Sequence, residues 1–472
     1  MDDRRIEELA TGRPGALLVK YAWPALVAMS LHALYAVVDR FYIGKGCGVE
    51  AMAGLQLAMP AMMLLTAFGP LIGVGHAAVL SIKLGEGDRE TCEKLVGQTV
   101  ALKLLLYAVL IPLLYVFIDQ LLDCCGADKV VPEARAAAKS YLQIVLFSHI
   151  FSHVAFGLSA LMRAEGSATR SMMCMVAGFG VNLVLDPILI FVFDMGLDGA
   201  AWATDVAMFA SCAFALSHYW SGRSAVKLRL RRIRLYPALL GRTLAIGLAP
   251  FLQQLMGAAV VASLQLAFAH WLADDSAVTD EIVSLGVYQS LLVVAIMPIM
   301  GAQQGLQPII GYNWGARRFR RVRETLVLGF WVTTALCVVA TVLQAVPPFP
   351  RLMTWLFIPK DKAALVSLAA HDLQAGNCML WCIGLNIVST TYFQSIGHPA
   401  TAIVLSLLRQ GICFIPAMWI LPRFIDDSAL AIWLSMPVSD VLCCLMTILP
   451  ISLHLRFLSR VRDRDAPRAP AS

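Results

Sequence analysis

The sequence predicts an all-α polytopic membrane protein, with twelve transmembrane helices in two parallel-repeat six-helix bundles around a central cleft. Three observations carry that prediction. Of the 472 residues, 59% are hydrophobic and 14% charged, with a mean hydropathy of +0.73, whereas a soluble domain carries about 25% charged residues. Lys and Arg alternate between the two sides of the apolar runs. Glycines and prolines of the first half recur in the second at nearly fixed offsets.

In order, the apolar runs cover 16–43, 51–82, 95–118, 136–162, 169–193, 199–221, 238–271, 282–311, 324–346, 366–394, 400–421 and 429–455. Several exceed the ~20 residues that suffice to cross a bilayer, so those helices tilt or project beyond it. Residues 1–14 are polar and no small-residue cleavage site follows the first run, which predicts an uncleaved start. One side receives Arg4, Arg5, Arg13 and Lys20, then Lys83, Arg89 and Lys94, then Arg163 and Arg170. The same side holds seven cations between Arg223 and Arg242, five between Arg317 and Arg323, and five between Arg456 and Arg468, a total of 26. The other side has nine: Arg40, Lys45, Lys129, Arg135, Lys139, Arg351, Lys360, Lys362 and Arg423; Lys103 and Arg409 fall inside helices. That asymmetry predicts both termini in the cytoplasm.

The expected organisation is a cytoplasmic segment 1–15, an N-lobe 16–222, a basic linker 223–237, a C-lobe 238–455 and a cytoplasmic tail 456–472. Segment 67–89 aligns with 295–317 at an offset of 228: Ala67, Pro70, Gly73, Ile82, Gly87 and Arg89 recur as Ala295, Pro298, Gly301, Ile310, Gly315 and Arg317. At an offset of 231, Leu142, Gln143, Gly166, Ala200 and Trp202 recur as Leu373, Gln374, Gly397, Ala431 and Trp433. Six helices per copy make the repeat parallel, with substrate between the halves near mid-membrane.

The stretch NLVLDPILIFVFDMGLDGAAWAT (182–204) places Asn182 and Asp186 inside an apolar run, four apart and so on one helical face. Pro187 loosens the backbone beside them. An intramembrane acid points to function; the alternatives are a buried neutral acid or a cap on a broken helix. With the predicted directions, Asp39, Tyr141, Asp186 and Thr204 all fall roughly 6 to 12 Å from the outer boundary at ~1.5 Å per residue. That layer holds enough oxygen to bind Na⁺ at Asp39, Asn182, Asp186 and Thr204, and two close carboxylates can share a proton. For Tyr141 and Thr204, ordinary packing or helix-end bonding is the reading that their own chemistry favours. The mates of Asp39, Asn182 and Asp186 are Gln265, Cys413 and Ala417, so the carboxylates are expected in the N-terminal half only.

Elsewhere, Met59, Met63, Met256 and Met297, with Gln253 and Gln254, are the expected wall of a substrate cavity, since methionine adapts to varied shapes; core filling is the competing explanation. Arg409 and Asp440 could pair within the C-lobe, with a structural role as plausible as a transport role. His32, His76 and His270 stand isolated. The twelve cysteines form no CxxC pair, and the adjacent pairs Cys124–Cys125 and Cys443–Cys444 read as packing. There is no Walker A motif and no nucleophile–base arrangement, so neither an ATP-driven pump nor an enzyme is expected.

The ordered pieces VDRFYIGKG (38–46), KLGEGDRE (83–90), LMRAEGSATRSM (161–172), 182–204, GYNWGARRF (311–319) and FQSIGHPA (393–400) resemble the multidrug and toxic compound extrusion (MATE) family, over about Lys20 to Ile451. The resemblance implies export of small organic, often cationic, drugs or metabolites by alternating access, as an antiporter coupled to inward H⁺ or Na⁺. It places the coupling-cation site on Asp39, Tyr141, Asn182, Asp186 and Thr204. It implies no cofactor beyond the coupling ion, no nucleic-acid partner, a monomer amid lipid, and the plasma (inner) membrane. Some members carry acids in the seventh and tenth helices; here Gln253 and Gln254 stand near the first position, and the tenth offers only Asp372 at its outer edge. A lipid-linked saccharide flippase of the related superfamily is the alternative, and it calls for a larger, more basic cavity.

Overall fold

The computed structural model describes residues 2–124, 132–222, 224–272, 274–355 and 363–461. Cys125, Lys129, Arg223, Lys360, Lys362, Arg462, Arg464 and Arg468 lie outside them, as do the side chains of Arg4, Arg5, Arg40 and Lys45. The N-lobe contains α2 (Pro14–Gly46), α3 (Gly48–Glu86), α4 (Arg89–Val116), α6 (Pro132–Ala164), α7 (Ala168–Pro187) and α8 (Gly196–Trp220), with a short α5 (Ile118–Cys124). The C-lobe contains α9 (Pro237–Trp271), α10 (Asp275–Gly315), α11 (Phe319–Ala345), a short α12 (Phe349–Thr354), α13 (Ala363–Asn377), α14 (Ile383–Ser395), α15 (Pro399–Leu407), α16 (Ile415–Ile420) and α17 (Ser428–Arg460).

Eleven spans among the described residues are long and apolar enough to cross a membrane. The tenth predicted helix is the exception, because it is broken into α13 and α14 by a turn and a 3-10 segment at Leu380–Cys382. Polar side chains hold the break. Asn377 donates to Gln344 Oε1 at 2.8 Å and accepts from Tyr288 Oη at 3.0 Å. Non-helical backbone at this depth is tolerated where it is buried in protein.

Residues 1–15, expected as a polar segment, include a helix of their own, α1 (Asp2–Thr11). Leu9, Leu17 and Leu18 are buried against the bundle. The last carbonyls of α1 have no partner within the helix, and C-lobe side chains supply donors. Asn313 Nδ2 reaches Leu9 O, Arg318 donates to Ala10 O, and Arg321 donates to Gly12 O. Cations at a helix C-terminus also complement its dipole.

The lobes meet chiefly through α2 against α10 and α3 against α9. Close approach requires glycine there. A Cβ on Gly247 would collide with the Leu71 carbonyl, and one on Gly315 with the Ile82 carbonyl. These contacts lie in the halves of the helices nearest the termini and the arginine-rich loops, so the cleft is sealed on that basic face.

Candidate functional site

The centre of the N-lobe site is the end of α7. Asn182 Nδ2 donates to Asp186 Oδ1 at 3.0 Å and lies 3.5 Å from Thr204 Oγ1 on α8. Just after Asp186, Pro187 ends the regular helix and a π turn, Ile188–Val192, follows; wide turns of this kind concentrate at functional sites. Asp186 lies within side-chain hydrogen-bonding reach of Asp39 on α2. Tyr141 of α6 is buried, with Asp39, Asp186 and Asp205 as its acidic neighbours. The structure therefore gathers Asp39, Tyr141, Asn182, Asp186 and Thr204 from four helices into one layer.

Two carboxyl groups at hydrogen-bonding distance repel unless a proton or cation lies between them. Asn182 Oδ1 is buried with no hydrogen-bond partner, an acceptor left over beside the pair. The donor set of carboxylate, amide and hydroxyl oxygens suits a hard monovalent cation, and it suits a proton equally.

Sequence reasoning missed one member of this layer. Asp205, next to Thr204, is buried, and neither of its carboxyl oxygens has a hydrogen-bond partner. The signal was present, since an acid inside the apolar run of α8 meets the same criterion as Asp186.

Beneath the layer, toward the basic face, lies an N-lobe pocket of about 150 Å³. Asn182 is at one end and Arg163 at the other, with Met29, Met175, Phe179 and Met208 between. Arg163 donates to Ser171 Oγ at 2.7 Å and Ser159 Oγ at 3.2 Å. A smaller C-lobe pocket of about 90 Å³ is lined by Gln253, Met300, Gln303, Asn386, Arg409 and Gln410, among others. Of the expected cavity wall, Gln253 lines this second pocket, and Met256 packs 3.4 Å from where a Gly411 Cβ would stand. Gln254 and Met63 are exposed and Met59 and Met297 half-buried, and none of the four lines either pocket.

One expectation is corrected. Buried carboxylates are not confined to the N-lobe. Asp372 accepts from Ser284 Oγ at 2.5 Å, and Glu281 accepts from Trp433 Nε1 at 2.8 Å, both acids being buried. Asp372 also lies within side-chain hydrogen-bonding reach of Glu281. Asp440 is also buried, and Arg409 Nε donates to it at 2.6 Å. His32 lines the N-lobe pocket against Phe179, with ring centroids 5.5 Å apart, and His270 packs on Trp271 and Trp419. His76 is buried in α3, within electrostatic reach of Lys103.

Two six-helix lobes, a cleft sealed on one face and a buried acid layer define an integral membrane protein with the architecture of a secondary transporter. The MatE family model matches residues 24–188 and 251–420, and the chain belongs to that family. It is 26% identical over 442 residues to the multidrug export protein MepA of Staphylococcus aureus (strain NCTC 8325 / PS 47), covering 92% of this chain and 93% of MepA. The MepA of Staphylococcus saprophyticus is 23% identical over 438 residues, with the same coverage of 92% and 93%. Among solved structures, MATE in complex with MaL6 superposes with a TM-score of 0.88 at 21% identity, covering 96% of this chain and 99% of that one. The outward-facing multidrug resistance MATE family transporter of the MOP superfamily gives 0.87 at 21% identity, covering 96% and 98%. These likenesses share the two-lobed fold.

Proposed function

We propose that the protein is an antiporter that exports small organic, often cationic, compounds in exchange for inward-moving H⁺ or Na⁺, by alternating access between its lobes. The observation that carries this reading is the Asp39–Asp186 contact beside the partnerless Asn182 Oδ1. The names of the MepA relatives support drug export as the task. Binding of the coupling cation removes the repulsion between the two carboxylates, and Pro187 with its π turn gives α7 a place to bend. Coupling requires that the cation bind the two conformations unequally.

On this reading both termini are cytoplasmic, the N-lobe runs 16–222 and the C-lobe 238–455, and the protein acts as a monomer in the plasma membrane. Each pocket wall presents one arginine, Arg163 or Arg409, which does not favour the lipid-linked saccharide alternative. The test is ethidium efflux from reconstituted vesicles under an imposed ΔpH or ΔNa⁺. Export driven by either gradient supports antiport, and movement under neither contradicts it.

A further inference from the structure

A second set of ionisable groups lies deeper in the N-lobe, and the acid layer does not account for it. One face of α6 presents Tyr141, Ser148, His149 and His153, spaced so that they stack along the helix. Tyr141 belongs to the acid layer, and the others lead away from it toward the basic face. Ser148 lies beside Asp205. His149 Nδ1 bonds the Val145 carbonyl at 2.9 Å; a carbonyl only accepts, so Nδ1 carries the hydrogen and Nε2 is left to accept. The His149 and His153 ring centroids are 5.7 Å apart.

His153 is buried, and neither ring nitrogen has a hydrogen-bond partner. It stacks on Tyr107 at 4.6 Å between centroids. Lys103 of α4 is 0% exposed; its Nζ lies 3.5 Å from the Gly69 carbonyl and 5.6 Å from the Phe156 ring centroid. No carboxylate among the described residues forms an ion pair with it. His76 of α3 is 0% exposed, bonds the Ile72 carbonyl through Nδ1 at 2.8 Å, and leaves Nε2 without a partner.

The ionisable groups facing this cluster are His76 from α3, Lys103 and Tyr107 from α4, His149 and His153 from α6, and, at its upper end, Asp205 from α8. The space is shaped for these side chains and filled by them. A Cβ on Gly157 would stand 2.6 Å from Lys103 Cε, and one on Gly69 would stand 2.9 Å from His153 Nδ1. As structural elements these groups are poor choices, because buried donors without partners cost free energy that an apolar core would not.

We propose that Lys103, His153, His149 and His76 form a second protonatable site of the N-lobe, joined to the Asp39–Asp186 layer through Asp205 and Ser148, and that a proton moves along it during transport. The proposal rests on the antiport reading and assigns H⁺ as the coupling ion. The proton leaves an Asp205 carboxyl as its O–H bond breaks, and a new N–H bond forms on His149 Nε2. The imidazolium passes a proton to His153, and His153 passes one to the Lys103 amine. Each transfer breaks one bond to hydrogen and makes one, with no further reactant.

Lys103→Arg separates this role from packing and from charge, because a guanidinium keeps the length and the positive charge but does not release its proton. In ethidium-loaded vesicles, Lys103→Arg and His153→Phe are expected to reduce ΔpH-driven efflux at least about tenfold, as loss of an intramembrane relay would. Ethidium affinity in detergent should stay within about twofold and the thermal midpoint should remain close to the parent's. His153→Phe preserves the stack on Tyr107 and stands in should Lys103→Arg not fold. Parental ΔpH-driven efflux in either folded variant overturns the proposal. Parental protein driven by ΔNa⁺ but not by ΔpH also overturns it while leaving antiport intact, whereas a parent driven by neither gradient fails the antiport reading itself.

Discussion

His153 and Gly384 occupy equivalent places in the two lobes, as do Lys103 and Thr334, each pair related by the offset of 231 that relates Trp202 to Trp433. The equivalence is spatial as well: a Cβ on Gly384 would meet Thr334 at 3.3 Å, just as His153 and Lys103 meet across Gly69. The backbone plan is shared, yet one lobe fills the junction with two ionisable groups and the other with a glycine and a threonine. The acid layers differ as well. Tyr141 stands beside the Asp39–Asp186 pair, and its mate Asp372 is itself a member of a carboxyl pair, within side-chain hydrogen-bonding reach of Glu281 and accepting from Ser284. The C-lobe acid Asp440 is paired with Arg409 through Oδ1 and leaves Oδ2 without a partner, whereas in the N-lobe Asn182 Oδ1 and both Asp205 oxygens are unpartnered and no cation among the described residues pairs with them. Satisfied polar groups hold a shape; unsatisfied ones are available to a proton or cation. On the proposed reading, coupling falls to the N-lobe, whose acid layer holds no arginine among the described residues, and the C-lobe, where Arg409 neutralises Asp440, carries a scaffolding share.

The largest perturbation of this arrangement is expected where the lobes touch. Gly247→Leu drives a side chain into the Leu71 carbonyl, so the basic face cannot seal and alternation stops. Ethidium efflux should fall to background while purified protein remains monodisperse; parental efflux would mean that the seal at this point is dispensable. Next is the C-lobe pair. Removing one partner of a buried ion pair costs about 3–5 kcal/mol, so Arg409→Met should lower the thermal midpoint clearly. If the C-lobe only scaffolds, the ratio of efflux with the gradient to efflux without it should not change in the surviving folded protein. Loss of gradient dependence there would extend coupling to both lobes.

Eleven spans were legible because each offers a long apolar run, and the lobes because glycines and prolines recur where backbones must touch or bend. The acid layer was legible because Asn182 and Asp186 share a helical face inside such a run. Other features were not. The break between α13 and α14 contains no proline and depends on Gln344 and Tyr288 from distant spans. Nothing in the helix of Asp372 shows that Ser284, 88 positions away, bonds it or that Glu281 lies beside it. Helix α1 is short and polar, and its C-terminus is completed by arginines some 300 positions away in sequence. Lys103 is visible as a cation inside a helix, but its histidine neighbours on other helices appear only on folding.

Smaller effects sharpen the same contrast. Gln265→Ala, at the uncharged mate of Asp39, should leave gradient-driven efflux within about twofold of the parent, because an amide has no proton to titrate in this range; a loss of ion dependence there would reveal a C-lobe site. The smallest effect is at the loop after α3, where Asp88 caps α4 by accepting from Thr91 N at 3.0 Å and its mate is Ala316. Asp88→Ala should cost about 1 kcal/mol. The Thr91 hydrogen bond holds the Asp88 carboxyl below its ordinary range, with Lys83 nearby. The stabilisation is therefore present at neutral pH and disappears as pH falls through that lowered value. Thermal midpoints of the variant and parent should differ near neutrality and converge in strong acid.

The most direct test of the division between lobes compares acids of the two lobes. Asp39→Asn and Asp186→Asn, set beside Asp372→Asn, would be reconstituted at equal density and assayed for ethidium efflux under imposed ΔpH and ΔNa⁺. Both N-lobe variants should lose gradient-driven efflux while still binding ethidium in detergent, since an amide resembles a protonated acid in shape. Asp372→Asn should keep its gradient dependence. Gradient-driven efflux at the parental rate in both N-lobe variants, or its loss in Asp372→Asn alone, would contradict the assignment of coupling to the N-lobe.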